Sequence, residues 1–118
     1  MTDKRLDNWT TQLRKGLLDL CVLNAIAAER MYGYDIVRKL RDVEGLVISE
    51  GTIYPILSRF KRDNLVGTVL VESSEGPARK YYELTDHGRA TLGKMNELWG
   101  RIVRGVQGIQ TDADEGSE

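Results

Sequence analysis

Gly51-Thr52-Ile53-Tyr54-Pro55-Ile56-Leu57-Ser58-Arg59-Phe60 is the stretch on which the fold turns. Ile53, Ile56, Leu57 and Phe60 stand at i, i+3, i+4 and i+7, the spacing of one buried helical stripe. Tyr54, Ser58 and Arg59, with Lys61 and Arg62 just beyond, fall on other faces. The pattern predicts an amphipathic helix to about Asp63, apolar on one side and polar with a basic bias elsewhere. Pro55 constrains its start, because proline has no N–H to donate and fits best in a first turn. The helix is therefore expected to begin near Gly51 or Thr52, which argues against Ser49 as its cap. Asn64 suits a left-handed residue at the far end.

Upstream, the chain is proline-free and rich in helix formers from about Trp9 to Glu29. Leu13, Leu17, Leu20 and Cys21 share one face, and Leu18, Val22, Ala25 and Ile26 line the adjacent one. A helix apolar on two faces needs cover on two sides, so it is expected at the centre of the fold. Arg30-Met31-Tyr32-Gly33 reads as a break. A second helix follows from about Tyr34 to Val43, with Ile36, Val37 and Leu40 inward and Arg38, Lys39 and Arg41 outward. Gly45 closes it with a left-handed cap.

Downstream, Leu65–Val71 and Lys80–Leu84 are strand-like, β-branched and aromatic. Between them Glu72–Arg79 is polar and turn-rich, which predicts a hairpin with a long loop rather than a tight two-residue turn. Tyr81 and Tyr82 point to opposite faces of their strand, one for the core and one free to lie against phosphate. Thr85 is a good N-cap for a last helix. In that helix Leu92, Met95, Trp99, Ile102, Val106 and Ile109 recur at intervals of 3, 4, 3, 4 and 3, a heptad seam. Gly100, Gly105 and Gly108 each weaken the helix by about 1 kcal/mol relative to alanine, so the stripe needs a partner helix to be worth having. The expected fold is mainly α with a small β-hairpin. A winged helix-turn-helix would occupy 1–84, a dimerisation helix 85–110, and a disordered acidic tail 111–118.

The chain of 118 residues has room for one modest core. No apolar run approaches the roughly 18 residues of a membrane span, and the charged N-terminus is not followed by a signal-peptide core. The single cysteine, Cys21, cannot form an internal disulfide and reads as a core filler in a reducing compartment, so the cytoplasm is expected. The net charge of −1 hides an asymmetry: residues 1–110 carry 17 basic against 14 acidic side chains, because four acids crowd the tail. His87 is the only histidine, and neither it nor Cys21 has partners for a metal cluster or a nucleophile–base pair. No phosphate-cradling glycine pattern occurs among the 12 glycines. Neither a cofactor nor an enzyme activity is expected.

Helix-turn-helix geometry would place the polar face and first turn of the third helix in a major groove of double-stranded DNA. Thr52, Tyr54, Ser58 and Arg59 are the candidates there, and Arg79, Lys80 and Tyr82 the candidates in the wing. Leu92, Met95, Trp99, Ile102, Val106 and Ile109 would form the seam of a homodimer. The competing class is a winged helix that docks a protein, since fold does not fix function. The polar, basic outer face of the third helix favours DNA over an apolar docking patch.

The same residues carry a family resemblance. Tyr32-Gly33-Tyr34-Asp35-Ile36, Gly51-Thr52-Ile53-Tyr54-Pro55 and Gly76-Pro77-Ala78-Arg79-Lys80-Tyr81-Tyr82-Glu83-Leu84-Thr85, followed by Gly88, resemble three successive motifs of the PadR family of bacterial transcriptional regulators. The match spans roughly residues 13–108 and fits the short subclass with a single C-terminal helix. Asn64 departs from the glycine often found there. The resemblance implies a cytoplasmic dimeric repressor of a pseudo-palindromic operator, released by a small molecule. Some such regulators stack planar aromatic compounds between paired tryptophans, which would make Trp99 a ligand contact with Met95 and Val103 beside it. The plainer role for Trp99, and the one its place in the heptad favours, is a bulky knob in the dimer seam.

Overall fold

The structure, a computed structural model, describes residues 3–43, 45–46 and 48–116. α1 (Lys4–Ala28) begins about a turn earlier than the apolar pattern indicates, because the Asp3 carboxylate accepts hydrogen bonds from the N–H groups of Arg5 and Leu6 at 3.0 and 3.3 Å. α2 (Gly33–Arg41), the sheet and the last helix all pack against α1. The face of Leu18, Val22, Ala25 and Ile26 is buried, whereas on the other face only Leu20 is buried and Leu13 stays exposed, so the expected cover on two sides is incomplete within the monomer. Leu23, Ile26, Ile36, Val37, Ile53 and Leu57 are fully buried at this junction. α2 ends at Arg41, two residues short of the expected Val43, and its C-cap is Asp42 in the right-handed region. Gly45 does take φ +89°, but as the left-handed residue of the turn that follows rather than as the cap of the helix.

α3 (Glu50–Arg62) corrects the expected start. Ser49 is its N-cap, with Oγ accepting from the Thr52 N–H at 3.3 Å. Pro55 therefore lies inside the helix. The bond it forfeits is the one the Gly51 carbonyl would have received, and Gly51 is exposed, so water can satisfy that oxygen. That is why proline is tolerated here beyond the first turn. Ile53, Leu57 and Phe60 of the predicted stripe are buried and Ile56 is half-buried against them, and Asn64 takes φ +60° beyond the helix end.

The stretch read as a plain break supplies a strand. β1 (Met31–Tyr32) pairs antiparallel with β3 (Gly76–Leu84), which pairs antiparallel with β2 (Val66–Ser73), giving the order β1-β3-β2. The hairpin is longer and tighter than expected, with only Ser74 and Glu75 left in its turn. The ladder continues from Val66↔Leu84 to Val71↔Arg79, then shifts before Ser73↔Gly76. Pro77, which has no N–H for a ladder, falls in that irregularity and so does not stop the strand.

Thr85 clasps the hairpin to the root of α4 (Asp86–Gly116). Its hydroxyl donates to the Asn64 carbonyl at 2.7 Å and accepts from the Gly88 N–H at 2.9 Å, while its own N–H donates to the Leu65 carbonyl at 3.0 Å. The fit is close enough that a Cβ on Gly88 would lie 2.0 Å from the Leu65 oxygen. Farther along, Asn24 and Asn96 exchange two amide hydrogen bonds at 3.0 and 2.9 Å, tying α1 to α4.

α4 then leaves the body. Its 31 residues make a rod of about 46 Å. The radius of gyration, 17.5 Å, exceeds the roughly 13.5 Å of a compact chain this size. The helix continues through Gly116, so residues 111–116 of the stretch expected as a disordered tail are helical; residues 117 and 118 lie outside the described part. Among the described residues no helix is long and apolar enough to cross a membrane, and no cluster of three metal-ligating side chains occurs.

Candidate nucleic-acid interface

With Ile53, Leu57 and Phe60 inward, the helical period puts Gly51, Pro55, Ser58 and Arg62 on the outermost stripe of α3, and all four are exposed. Three of these are small. A helix whose outer ridge carries no bulky side chain can approach a groove floor closely, and Arg62 at the end of the ridge supplies charge. Ser58 was expected on this surface. Arg62 is outward in the sequence pattern too, but it lies outside the four residues expected to meet DNA from this helix.

The other expected α3 residues lie on the flanks. Thr52 is half-buried and its hydroxyl meets Ser49 Oγ at 3.1 Å, closing the cap. Arg59 turns toward α1, where its Nη2 pairs with Asp19 Oδ1 at 2.6 Å. Both groups are part-exposed, so the ion pair contributes under about 1 kcal/mol, but it holds the guanidinium off the outer ridge. Tyr54 lies on the opposite flank with its ring over Gly33: a Cβ there would meet the ring and hydroxyl at 2.8 Å. This close approach explains the glycine at the start of α2. Partial burial, then Glu50, Tyr32 and Tyr82 nearby, raise the Tyr54 phenol above its ordinary value. It stays protonated at neutral pH and can donate a hydrogen bond.

In the wing, Arg79 and Lys80 are both exposed. Tyr82 is not available: it is 9% exposed, belongs to the core and faces the helices. Strand alternation left open which of the paired tyrosines went inward; the register with β1 decides it, since Tyr82 lies opposite buried Met31 and Tyr81 opposite Tyr32.

The seam residues of α4 divide. Leu92 is 4% exposed and packs into the chain's own core, and Met95 rests against it, so these two serve the fold first. Trp99, Ile102, Val106 and Ile109 are uncovered, as are Leu6, Trp9 and Leu13 on α1. Where α1, α2 and α4 meet, an apolar hollow of about 600 Å³ opens, its walls including Leu13, Leu17, Cys21, Leu40 and Trp99. Trp99 also lines a neighbouring groove with Met95, whereas Val103 lines neither. Burial raises the Cys21 thiol, which favours its neutral form.

Comparison with known proteins gives this arrangement a context. The crystal structure of a PadR-like transcriptional regulator from Bacillus cereus is 39% identical, covers 83% of this chain and 95% of its own, and superposes with a TM-score of 0.77. A PadR family regulator from Eggerthella lenta is 30% identical over 91% of this chain and 93% of its own, with a TM-score of 0.78. Bacillus subtilis PadR in complex with operator DNA shares the fold, with a TM-score of 0.61 over 67% of this chain and 45% of its own, at 22% identity. The family model of PadR-like transcriptional regulators matches residues 22–94, from the last two turns of α1 through the wing to the root of α4. With that match and those relatives, the chain belongs to the PadR-like family of transcriptional regulators.

Proposed function

We propose that the protein is a homodimeric repressor of the cytoplasm that binds a pseudo-palindromic DNA operator through α3 and the wing, and that a planar aromatic ligand releases it. The observation that carries the DNA reading is the outer ridge of α3, small and polar along Gly51, Pro55 and Ser58, with exposed Arg62, Arg79 and Lys80 around it. Such a surface suits a groove flanked by phosphates and offers a protein partner no apolar anchor. The family relative from Bacillus subtilis, seen with operator DNA, agrees with this reading.

The dimer is supported by the uncovered stripe. Exposed apolar side chains along one face of a rod stabilise nothing until a second rod covers them, at about 1.5–3 kcal/mol for each large side chain buried. A twofold pairing through α4 would hold two reading heads at a fixed separation, which is what half-sites on successive turns require. The hollow beside Trp99 has the volume and apolar lining of a small-ligand site.

Selection of genomic fragments with the purified protein, followed by footprinting, tests the DNA reading. Two protected half-sites about one helical turn apart are expected. Sedimentation at micromolar concentration reports the dimer. For the ligand, a Trp9→Phe background isolates Trp99 fluorescence. A planar aromatic dye should quench it and release bound duplex, and equal binding by a Trp99→Ala variant would remove Trp99 from the site.

A further inference from the structure

Alternation along β3 puts Lys80, Tyr82 and Leu84 on the core side and Arg79, Tyr81 and Glu83 on the outer side. The pairing of β1 carries Tyr32 to the outer side as well, directly opposite Tyr81. On that outer face four side chains form a ladder. The Arg79 guanidinium lies 5.1 Å from the centre of the Tyr32 ring, the Tyr32 and Tyr81 rings are 6.1 Å apart and tilted by 39°, and the Arg30 guanidinium lies 5.7 Å from the centre of the Tyr81 ring. Two arginines remote in sequence thus end a stack of two tyrosines.

We propose that this ladder is a phosphate clamp, in which Tyr32 and Tyr81 hold Arg79 and Arg30 ready for the DNA backbone, so that the DNA surface continues from α3 and the wing onto β1. The inference rests on the DNA-binding reading above and extends it to Arg30, Tyr32 and Tyr81. A guanidinium lying on an aromatic face is held by the ring quadrupole while its in-plane N–H donors stay free for a bidentate anion. Holding it there before binding removes part of the rotamer entropy that an arginine otherwise loses on contact. Among the described residues neither Arg30 nor Arg79 has a carboxylate partner, in contrast to Arg59, which is held by Asp19. The surface is also continuous with the helix. Tyr54 of α3 sits over Gly33, the residue next to Tyr32. Glu83 is the carboxylate that shares the outer face of β3, beyond Tyr81 from Arg79. It sets a local opposing charge, and Glu83→Gln should tighten binding.

The test uses the full chain and a fluorescein-labelled duplex of mixed sequence, about 30 base pairs long, with anisotropy read over a series of salt concentrations, since phosphate contacts are independent of sequence. Arg30→Gln is expected to weaken binding at low salt about threefold to tenfold and to reduce the slope of log K against log salt by about 0.9 for each subunit in contact. Tyr32→Leu should reproduce the slope of Arg79→Gln, and Tyr32→Phe, which keeps the ring, should match the wild type. A purely structural platform would lower the melting temperature without changing the slope. If Tyr32→Leu melts early, Arg30→Gln decides alone, because that side chain is exposed. Wild-type slope and affinity in Arg30→Gln overturn the clamp while leaving the DNA reading intact. Failure of the wild type to bind any duplex overturns the DNA reading itself.

Discussion

α3 and α4 carry the same signal in sequence and use it in opposite ways. Each repeats apolar residues every third or fourth position. On α3 the stripe is spent almost wholly inside the monomer, with Ile53 and Leu57 fully buried and Ile56 half-buried. The face left over is polar and available to a ligand. On α4 exposure climbs along the stripe, from 4% at Leu92 through 38% at Trp99 to 71% at Ile109. There the face left over is the apolar one. A helix whose apolar stripe is satisfied at home leaves its polar side for another molecule, whereas one whose stripe is not satisfied leaves an apolar face in need of cover.

The contrast can be broken hardest at the joint. Gly88→Ala drives a methyl group into the Leu65 carbonyl, a backbone atom that cannot swing aside. It is expected to cost about 4 kcal/mol, read by urea denaturation, because α4 must lift off the head. Inside the head, Leu57→Ala should cost about 3 kcal/mol, since the position is wholly buried. On the arm the outcome differs in kind. Ile102→Glu with Val106→Glu should leave the circular dichroism of the head intact yet weaken self-association at least about a hundredfold, some 2.7 kcal/mol. A stable dimer of that double variant, seen by sedimentation, would show that the stripe is not the seam.

Two smaller effects sharpen the picture. Asp19→Asn, which frees Arg59 from α1, should change stability by under about 1 kcal/mol, because the pair is part-exposed. It should also raise duplex affinity slightly by releasing a cation near the ridge. The raised phenols of Tyr54 and Tyr82 set the alkaline limb. Their neutral forms are favoured by the fold, so that contribution is complete below the ordinary phenol value of about 10. It is lost only as pH rises through the raised folded values. Melting temperature should be flat in this respect near neutrality and fall above pH 10.

Much of the candidate site is legible in the sequence. The stripe of α3, the left-handed turns at Gly45 and Asn64, the cap at Thr85 and the exposure of Ser58, Arg79 and Lys80 all follow from local rules of period, backbone sterics and hydrogen bonding. The misplacements share a cause as well. Ser49 was passed over because Pro55 was weighed by its local cost, yet the orphaned carbonyl fell on a solvent-facing glycine. Tyr82 was assigned to DNA because alternation shows that two neighbours part company without showing which goes inward. Arg59, expected at the groove, is drawn aside by Asp19, a partner on another helix that no local pattern reveals.

The sequence by itself determined the four helices and the wing hairpin in outline, which faces are apolar, and which family the motifs resemble, since these depend on near neighbours and on the periods of 3.6 and 2. Only the tertiary structure decided the pairings made across the chain: β1 against β3, Thr85 against the Leu65 carbonyl, Asp19 against Arg59, and two arginines at the ends of a tyrosine stack. Such contacts depend on the register and docking angle of distant segments. Those are fixed by how the whole core closes, and no local pattern contains them.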